Sequence, residues 1–350
     1  MGKYILKRLG YLVIVAIILS FVLYMIYSLV PANRAHTDAQ AELKSLSKTL
    51  AGMSNEEKKQ FEADIELKYQ RMYGTDTNNK VVRYLRWVGV YPLYDGSFDG
   101  LLQGNFGYSY DYKKPVVDMV KWPMINTIKI NIYATILALG ITIPLGIHCA
   151  VKRGSKRDQA VQVFTIVGYS LPTFLIAILF IWIFCAKLGW FPPSGMGTPG
   201  NTYTGFRAYL DEMYYMALPL IVSTFCSLGG MTRYVRASMI DSLSMDCIKT
   251  ARAKGLREKT VIYSHAFRNA LIPIVSLVVG WFLGIFGGSI MIENIFAWNG
   301  MGRVMISALR SADYDVVMLM QMFYIMLSLL GALIIDIVYG LVDPRVRVNK

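Results

Sequence analysis

Side chains able to act as acids, bases, nucleophiles or metal ligands are few and scattered in this chain. Histidine occurs only at His36, His148 and His265, and cysteine only at Cys149, Cys185, Cys226 and Cys247. No CxxC, HExxH or GxSxG is present, and no Cys/His spacing fits a metal site. A GxxxxGK[ST] loop is also missing, so ATP-driven work would need a partner to cradle the nucleotide. The residues therefore point away from an enzyme: no catalytic residue, metal ligand or cofactor of its own is assigned to the chain.

Its most informative stretch is MTRYVRASMIDSLSMDCIKTARAKGLREKTVIYSHAFRNALIPIV. Ser244 or Asp246 can cap a short helix carrying Lys249, Thr250, Ala251, Arg252, Ala253 and Lys254. That helix stops at Gly255, the residue type best suited to a left-handed C-terminal cap. A second helix, with Val261, Ile262, His265 and Ala266 on one face, leads toward Pro273 and includes Arg268 and Asn269. The pattern predicts a helix-turn-helix across a membrane base; a basic amphipathic hairpin held on anionic headgroups is the alternative.

A membrane is demanded by composition. The 350 residues are 55% hydrophobic, 17% charged and 13% aromatic, with mean hydropathy +0.41, whereas soluble chains are about one quarter charged. Six apolar stretches are long enough to cross: 9–30, 124–150, 161–186, 213–232, 270–292 and 316–342. The first exceeds a signal-peptide core and reads as an anchor. The net charge of +13 falls asymmetrically: 18 Lys and Arg lie in the N-terminal end, 151–159, 233–268 and the tail, against 4 in the short alternate loops. Basic loops resist translocation, which predicts both termini and the 233–268 loop in the cytoplasm and explains the charge without nucleic acid.

The long segment 31–123 then lies outside, since loops of that length translocate regardless of charge. Thr37 can cap a helix running through Leu50, and Ser54-Asn55-Glu56-Glu57 reads as a capping box opening a helix to about Met72 with a stripe of Phe61, Ile65 and Tyr69. An apolar cluster from Val81 to Trp87 and glycines at 96, 100, 104 and 107 complete what reads as an ordered cap. The predicted organisation is 1–30 as N-terminal end and first span, 31–123 as cap, 124–342 as core, and 343–350 as cytoplasmic tail.

Within the spans, Gly280, Gly284 and Gly288 are spaced by four and can form one smooth packing strip, within the chain or toward another subunit. Pro144, Pro172 and Pro219 can kink helices around a pathway or merely bend them. Lys129 either snorkels or faces a pore, and Asp336 and Glu293 either anchor loops and pair with arginines or relay protons. Trp190, Phe191, Trp281, Phe296 and Trp298 mark the outer interface.

The 233–268 loop resembles the signature loop of ABC importer permeases, Glu-Ala-Ala, three residues, Gly, nine residues, Ile-x-Leu-Pro. Gly255 and Ala251 match, Lys249-Thr250 replace Glu-Ala, and His265 and Arg268 occupy the Ile and Pro slots. These departures are similar to one branch, the B-type subunits of oligopeptide and dipeptide (peptide/nickel) permeases, with TARAKG followed by HxxRNxxxP. The resemblance extends to VRYLRW at 82–87, GLLQGNFGYS at 100–109, PVVDMV at 115–120, SLPTF at 170–174, LGWFPPSG at 188–195, ENIFAWNGMGR at 293–303 and DPRVR at 343–347. Asn105 stands where the family has Asp, and 35–65 looks like an insertion.

The resemblance implies an all-α polytopic membrane protein with six transmembrane helices, a type I ABC importer permease fold and a large extracytoplasmic segment between helices 1 and 2. It implies a subunit that pairs with a homologous C-type permease, takes two cytoplasmic ATPases that bind ATP and Mg, and receives cargo from an extracytoplasmic substrate-binding protein. The membrane would be the bacterial cytoplasmic membrane. Residues from Asp246 to Gly255 would be the helix that docks on the ATPase; Gly280, Gly284 and Gly288 are candidates for helix packing or a pore seam, and Lys129 and Pro172 for the pathway. Cargo would be oligopeptides or dipeptides; nickel, glutathione and oligosaccharide importers share the pattern. A secondary transporter is the rival class, and it would show paired intramembrane acids or two interrupted halves.

Overall fold

The computed structural model describes residues 2–29, 34–50, 53–109 and 111–342, so the tail at 343–350, including DPRVR, lies outside the described residues. In chain order the helices are α1 (Gly2–Tyr27), α2 (Arg34–Ser45), α3 (Ser47–Leu50), α4 (Asn55–Met72), α5 (Lys80–Val88), α6 (Val116–Val151), α7 (Lys156–Ser170) and α8 (Thr173–Phe180). They continue as α9 (Gly205–Ser244), α10 (Asp246–Ala253), α11 (Glu258–Thr260), α12 (Phe267–Gly284), α13 (Ile290–Ile295), α14 (Met301–Arg310) and α15 (Tyr314–Val342). π-helical turns occupy Ile181–Lys187 and Val261–Ala266, and Tyr108–Ser109 pairs antiparallel with Lys114–Pro115.

Among the described residues four helices are long and apolar enough to cross a membrane: Leu6–Tyr27, Val116–Val151, Gly205–Ser244 and Tyr314–Val338. Two bent pairs, Lys156–Ser170 with Thr173–Lys187 and Glu258–Leu271 with Pro273–Gly284, raise the number to as many as six. The helices overrun the apolar stretches. The second begins at Val116 rather than 124, and the fourth runs from Gly205 to Ser244 rather than 213–232. Exposed Asp118 and Lys121 show the cause: hydropathy marks where lipid begins, while helix continues as long as backbone bonds are made.

The third stretch is not one rod. It turns through 106° between α7 and α8, where Leu171 is held extended (φ −82°, ψ 139°) by the proline that follows it. Pro172 is thus the corner, whereas Pro144 and Pro219 lie inside continuous α6 and α9. The fifth stretch stops at Gly284 instead of 292, with α13 a separate helix.

The chain divides into two compact units. One comprises Met1–Leu9, Val120–Ser307 and Leu327–Lys350. Its first core cluster joins Ile147 and Ala150 of α6, Met231, Val235 and Met239 of α9, Ile248 and Ala251 of α10, and Ala270 and Ile274 of α12. A second cluster gathers Ile130, Ile176, Ala177, Met216, Leu218, Val222, Ile292, Phe296 and Trp298. Arg8 pairs with Asp336 at 3.1 Å in the same unit.

The other unit comprises Gly10–Met119 and Ala308–Met326. Here α2 packs on α4, with Lys68 Nζ 2.9 Å from Glu42 Oε2 and the Tyr73 hydroxyl donating to Asp38 at 2.6 Å. The capping box is present: Glu57 N–H donates to Ser54 Oγ, and Ser54 N–H to the Glu57 carboxylate. Ile65 is buried while Phe61 and Tyr69 are half-buried. Thr37 does not cap, because α2 already begins at Arg34, and the helix drawn through Leu50 is two pieces broken at Leu46. The 81–87 cluster is helix α5, capped by Asn79 and ended by Gly89 at φ +90°. It rests on α1 through Tyr84, whose hydroxyl is 2.8 Å from Ser20 Oγ and whose ring meets Phe21 edge-on.

Candidate functional site

Helix α10 has two unlike faces. Ile248 and Ala251 are buried in the first core cluster; Asp246, Cys247, Lys249, Thr250, Arg252, Ala253 and Lys254 are exposed. One residue, the extended Met245, separates it from α9. Neither Ser244 nor Asp246 supplies the N-cap. Ser244 Oγ turns back to the Asp241 carbonyl at 2.7 Å, and Asp246 is the first helical residue, pairing with Lys249 at 2.8 Å. The C-terminus closes as a Schellman motif: Leu256 N–H reaches the Ala251 carbonyl at 3.3 Å and Gly255 N–H the Arg252 carbonyl at 2.9 Å, with Gly255 at φ +74°. A Cβ at Gly255 would meet nothing within 4 Å, so within this chain the glycine serves the turn rather than a close approach.

The second helix is assembled differently from its sequence pattern. The π-turn at Val261–Ala266 puts Val261, Ala266, Ala270 and Ile274 on the buried stripe, a step of five before steps of four. An α-helical reading paired His265 with that face; the wider turn carries it out to the surface, where Arg268 is also exposed. Asn269 Nδ2 reaches Cys247 Sγ on α10 at 3.6 Å, and Ser242 Oγ donates to the Ala266 carbonyl at 2.5 Å.

At the other end of the same unit, the ENIFAWNGMGR segment is folded onto α6. Thr127 Oγ accepts the Met301 N–H at 2.8 Å and donates to Glu293 Oε1 at 2.8 Å, while Glu293 Oε2 accepts the Arg303 N–H at 3.1 Å. Burial pushes the Glu293 carboxyl above its usual range, opposed by these hydrogen bonds. Trp298, fully buried, donates from Nε1 to the Asn126 carbonyl at 3.1 Å. One turn along, Asn131 Nδ2 donates at 2.9 Å to the carbonyls of both Ile285 and Gly287, satisfying chain left open where α12 ends.

The three-glycine strip is not continuous. Gly280 and Gly284 lie on α12 with open space where a Cβ would stand, whereas Gly288 lies beyond the helix, pressed against the Gly302 backbone. Lys129 is paired, its Nζ 2.7 Å and 3.0 Å from the Glu212 carboxylate oxygens. Glu293 anchors a loop and Asp336 holds an arginine.

Sequence reasoning missed Asp158, Arg236, Thr127 and Asn131. Asp158 carried a signal: Ser155-x-x-Asp158 before an apolar run is a capping pattern, and Ser155 Oγ does accept the Asp158 N–H at 3.2 Å.

Residues 142–348 match the family described as binding-protein-dependent transport system inner membrane component. The chain is 35% identical over 267 residues to the oligopeptide transport system permease protein AppB of Bacillus subtilis strain 168, across 76% of this chain and 80% of that protein. It is 34% identical over 269 residues to the dipeptide transport system permease protein DppB of Escherichia coli K12, across 72% and 79%. A solved structure of the MetNI methionine ABC transporter, inward facing, aligns with TM-score 0.48 and 16% identity over 64% of this chain and 98% of that chain. The chain therefore belongs to the binding-protein-dependent transport system inner membrane components, as a multi-pass permease of the type I ABC importer fold.

Proposed function

We propose that this chain is the B-type permease subunit of a peptide importer. It lines half of a pathway completed by a homologous C-type subunit and is driven by two cytoplasmic ATPases that hold ATP and Mg. Cargo would arrive from an extracytoplasmic binding protein, with 31–123 forming an outer cap. The peptide-transport names of the relatives support the cargo class. The reading places both termini and 233–268 in the cytoplasm, in keeping with the basic-residue asymmetry.

The observation that carries the mechanism is the division of α10. Its inner face is locked into a core shared with α6, α9 and α12, and its outer face is exposed, touched by Asn269 at Cys247 and by Glu258 at Arg252. A helix mounted that way passes a push on its outer face to three long helices together, because packed cores shift as blocks. Gly255→Trp tests it: the subunit should insert normally yet lose its ATPases, or keep them without cargo-stimulated hydrolysis and uptake. Full transport by that variant, with loss of function on removing Arg252, Lys254 and Arg257, would leave a lipid-bound hairpin instead. Uptake assays with labelled di- and oligopeptides, nickel, glutathione and an oligosaccharide assign the cargo.

A further inference from the structure

Asp158 and Arg236 form a buried ion pair between α7 and α9 that the coupling reading does not use. The guanidinium is bidentate, Nε to Oδ1 at 2.7 Å and Nη2 to Oδ2 at 2.8 Å, with Asp158 2% and Arg236 19% exposed. Asp158 Oδ2 also accepts the Gly154 N–H at 2.9 Å. The Gln162 carboxamide abuts the pair, and with its carbonyl oxygen turned to the guanidinium it accepts from Nε at 2.9 Å and Nη2 at 3.0 Å. A two-pronged guanidinium–carboxylate bond fixes direction as well as distance, which a single lysine contact does not.

Its place in the fold gives the pair a use. Arg236 stands two turns before the end of α9, and one residue beyond that end α10 begins. Farther along, α7 and α9 touch closely: a Cβ at Gly229 would run into the Thr165 carbonyl and Tyr169, and one at Gly168 would stand 3.2 Å from the Phe225 ring. Beyond that contact α7 turns the Pro172 corner into α8, whose Ile176 and Ala177 lie in the cluster around Trp298. The close contact at Gly229 and Gly168 holds α7 and α9 together, and the two-pronged ion pair adds a directional tie at the end nearest α10.

We propose that Asp158 and Arg236 are positioning residues that make α7 travel with α9 and α10, so that displacement of α10 reaches the Pro172 corner and the loop cluster beyond it. This rests on the coupling role of α10. Removing one partner would strand a charge in the interior and endanger folding, so the informative variant is the doubly neutral Asp158→Asn/Arg236→Gln, with Arg236→Lys beside it.

The complete transporter, with its partner subunits, is reconstituted in liposomes, and uptake of labelled trialanine per ATP hydrolysed is measured. The double variant should assemble and hydrolyse ATP, with uptake per ATP down on the order of tenfold and Arg236→Lys falling between it and wild type. A double variant that assembles and couples within about twofold of wild type overturns the proposal. If the double variant does not assemble, Arg236→Lys decides: an unchanged ratio there reduces the pair to a tie that holds the fold. A wild-type complex lacking ATPases or cargo-stimulated hydrolysis defeats the coupling reading itself, whereas a normal wild type with a fully coupled variant defeats only the role given to this pair.

Discussion

Ser242 donates its hydroxyl to the carbonyl of Ala266 at 2.5 Å, from a position with almost no solvent exposure. The bond bolts the end of α9 to the π-turn beneath it, so the two arms carrying α10 cannot splay independently. Ser242→Ala leaves a buried carbonyl short of that donor and should cost about 1–3 kcal/mol. Thermal unfolding of the purified subunit checks the loss; an unchanged midpoint would mean that another donor takes over.

Gly255 separates turn geometry from contact. Because a Cβ there meets nothing in the chain, Gly255→Ala should lose about 1 kcal/mol through its left-handed backbone alone, and Gly255→Asn should lose less. Transport by Gly255→Asn close to wild type, with Gly255→Trp inactive, would assign the remaining demand on this position to a docked partner.

Gly300→Ala should be poorly tolerated. The added methyl would stand 2.5 Å from the Glu293 carboxyl carbon and from Thr127 Oγ, in the middle of the hydrogen-bonded knot that seats the loop on α6. Overpacking of this kind costs about 1–3 kcal/mol. Protease sensitivity of the 293–303 segment should rise in the variant relative to wild type.

The capping box of α4 gives a pH dependence. Hydrogen bonds from Ser54 hold the Glu57 carboxyl below its ordinary value of 4.5. A depressed carboxyl contributes stability above the unfolded value and loses it as pH falls, so the first turn of α4 should fray as pH drops through and below 4.5. Protection of the Glu57 and Lys58 amides from hydrogen exchange, taken relative to the unfolded-chain rate at each pH, should fall in that range, and Glu57→Gln should remove most of that pH dependence.

Features written in short-range chemistry were legible: Ser54 and Glu57 find each other three residues apart, and Gly255 stops α10 where a left-handed residue is needed. Thr37 misled because the same residue type serves as cap or passenger, and only the upstream backbone at Arg34 decides which. Thr127 with Glu293 and Asp158 with Arg236 were invisible for another reason. Each pair is separated by tens of residues or more, and nothing local reports which buried side chain a polar group will meet. His265 was misplaced because hydrophobic periodicity was counted at 3.6 residues per turn across a segment wound more loosely.

That looser winding sets the azimuth of everything after it. A π-turn inserts one residue into the helical phase, and one residue is about 100° of rotation, so Gly280 and Gly284 point where they do because of a segment several turns earlier. Deleting a single residue between Val261 and Ala266 would leave composition and hydropathy almost untouched. It would rotate α12 against its neighbours and swing its small-residue edge to a different compass bearing, making this turn the place where a one-codon change redraws which surface the helix leaves open.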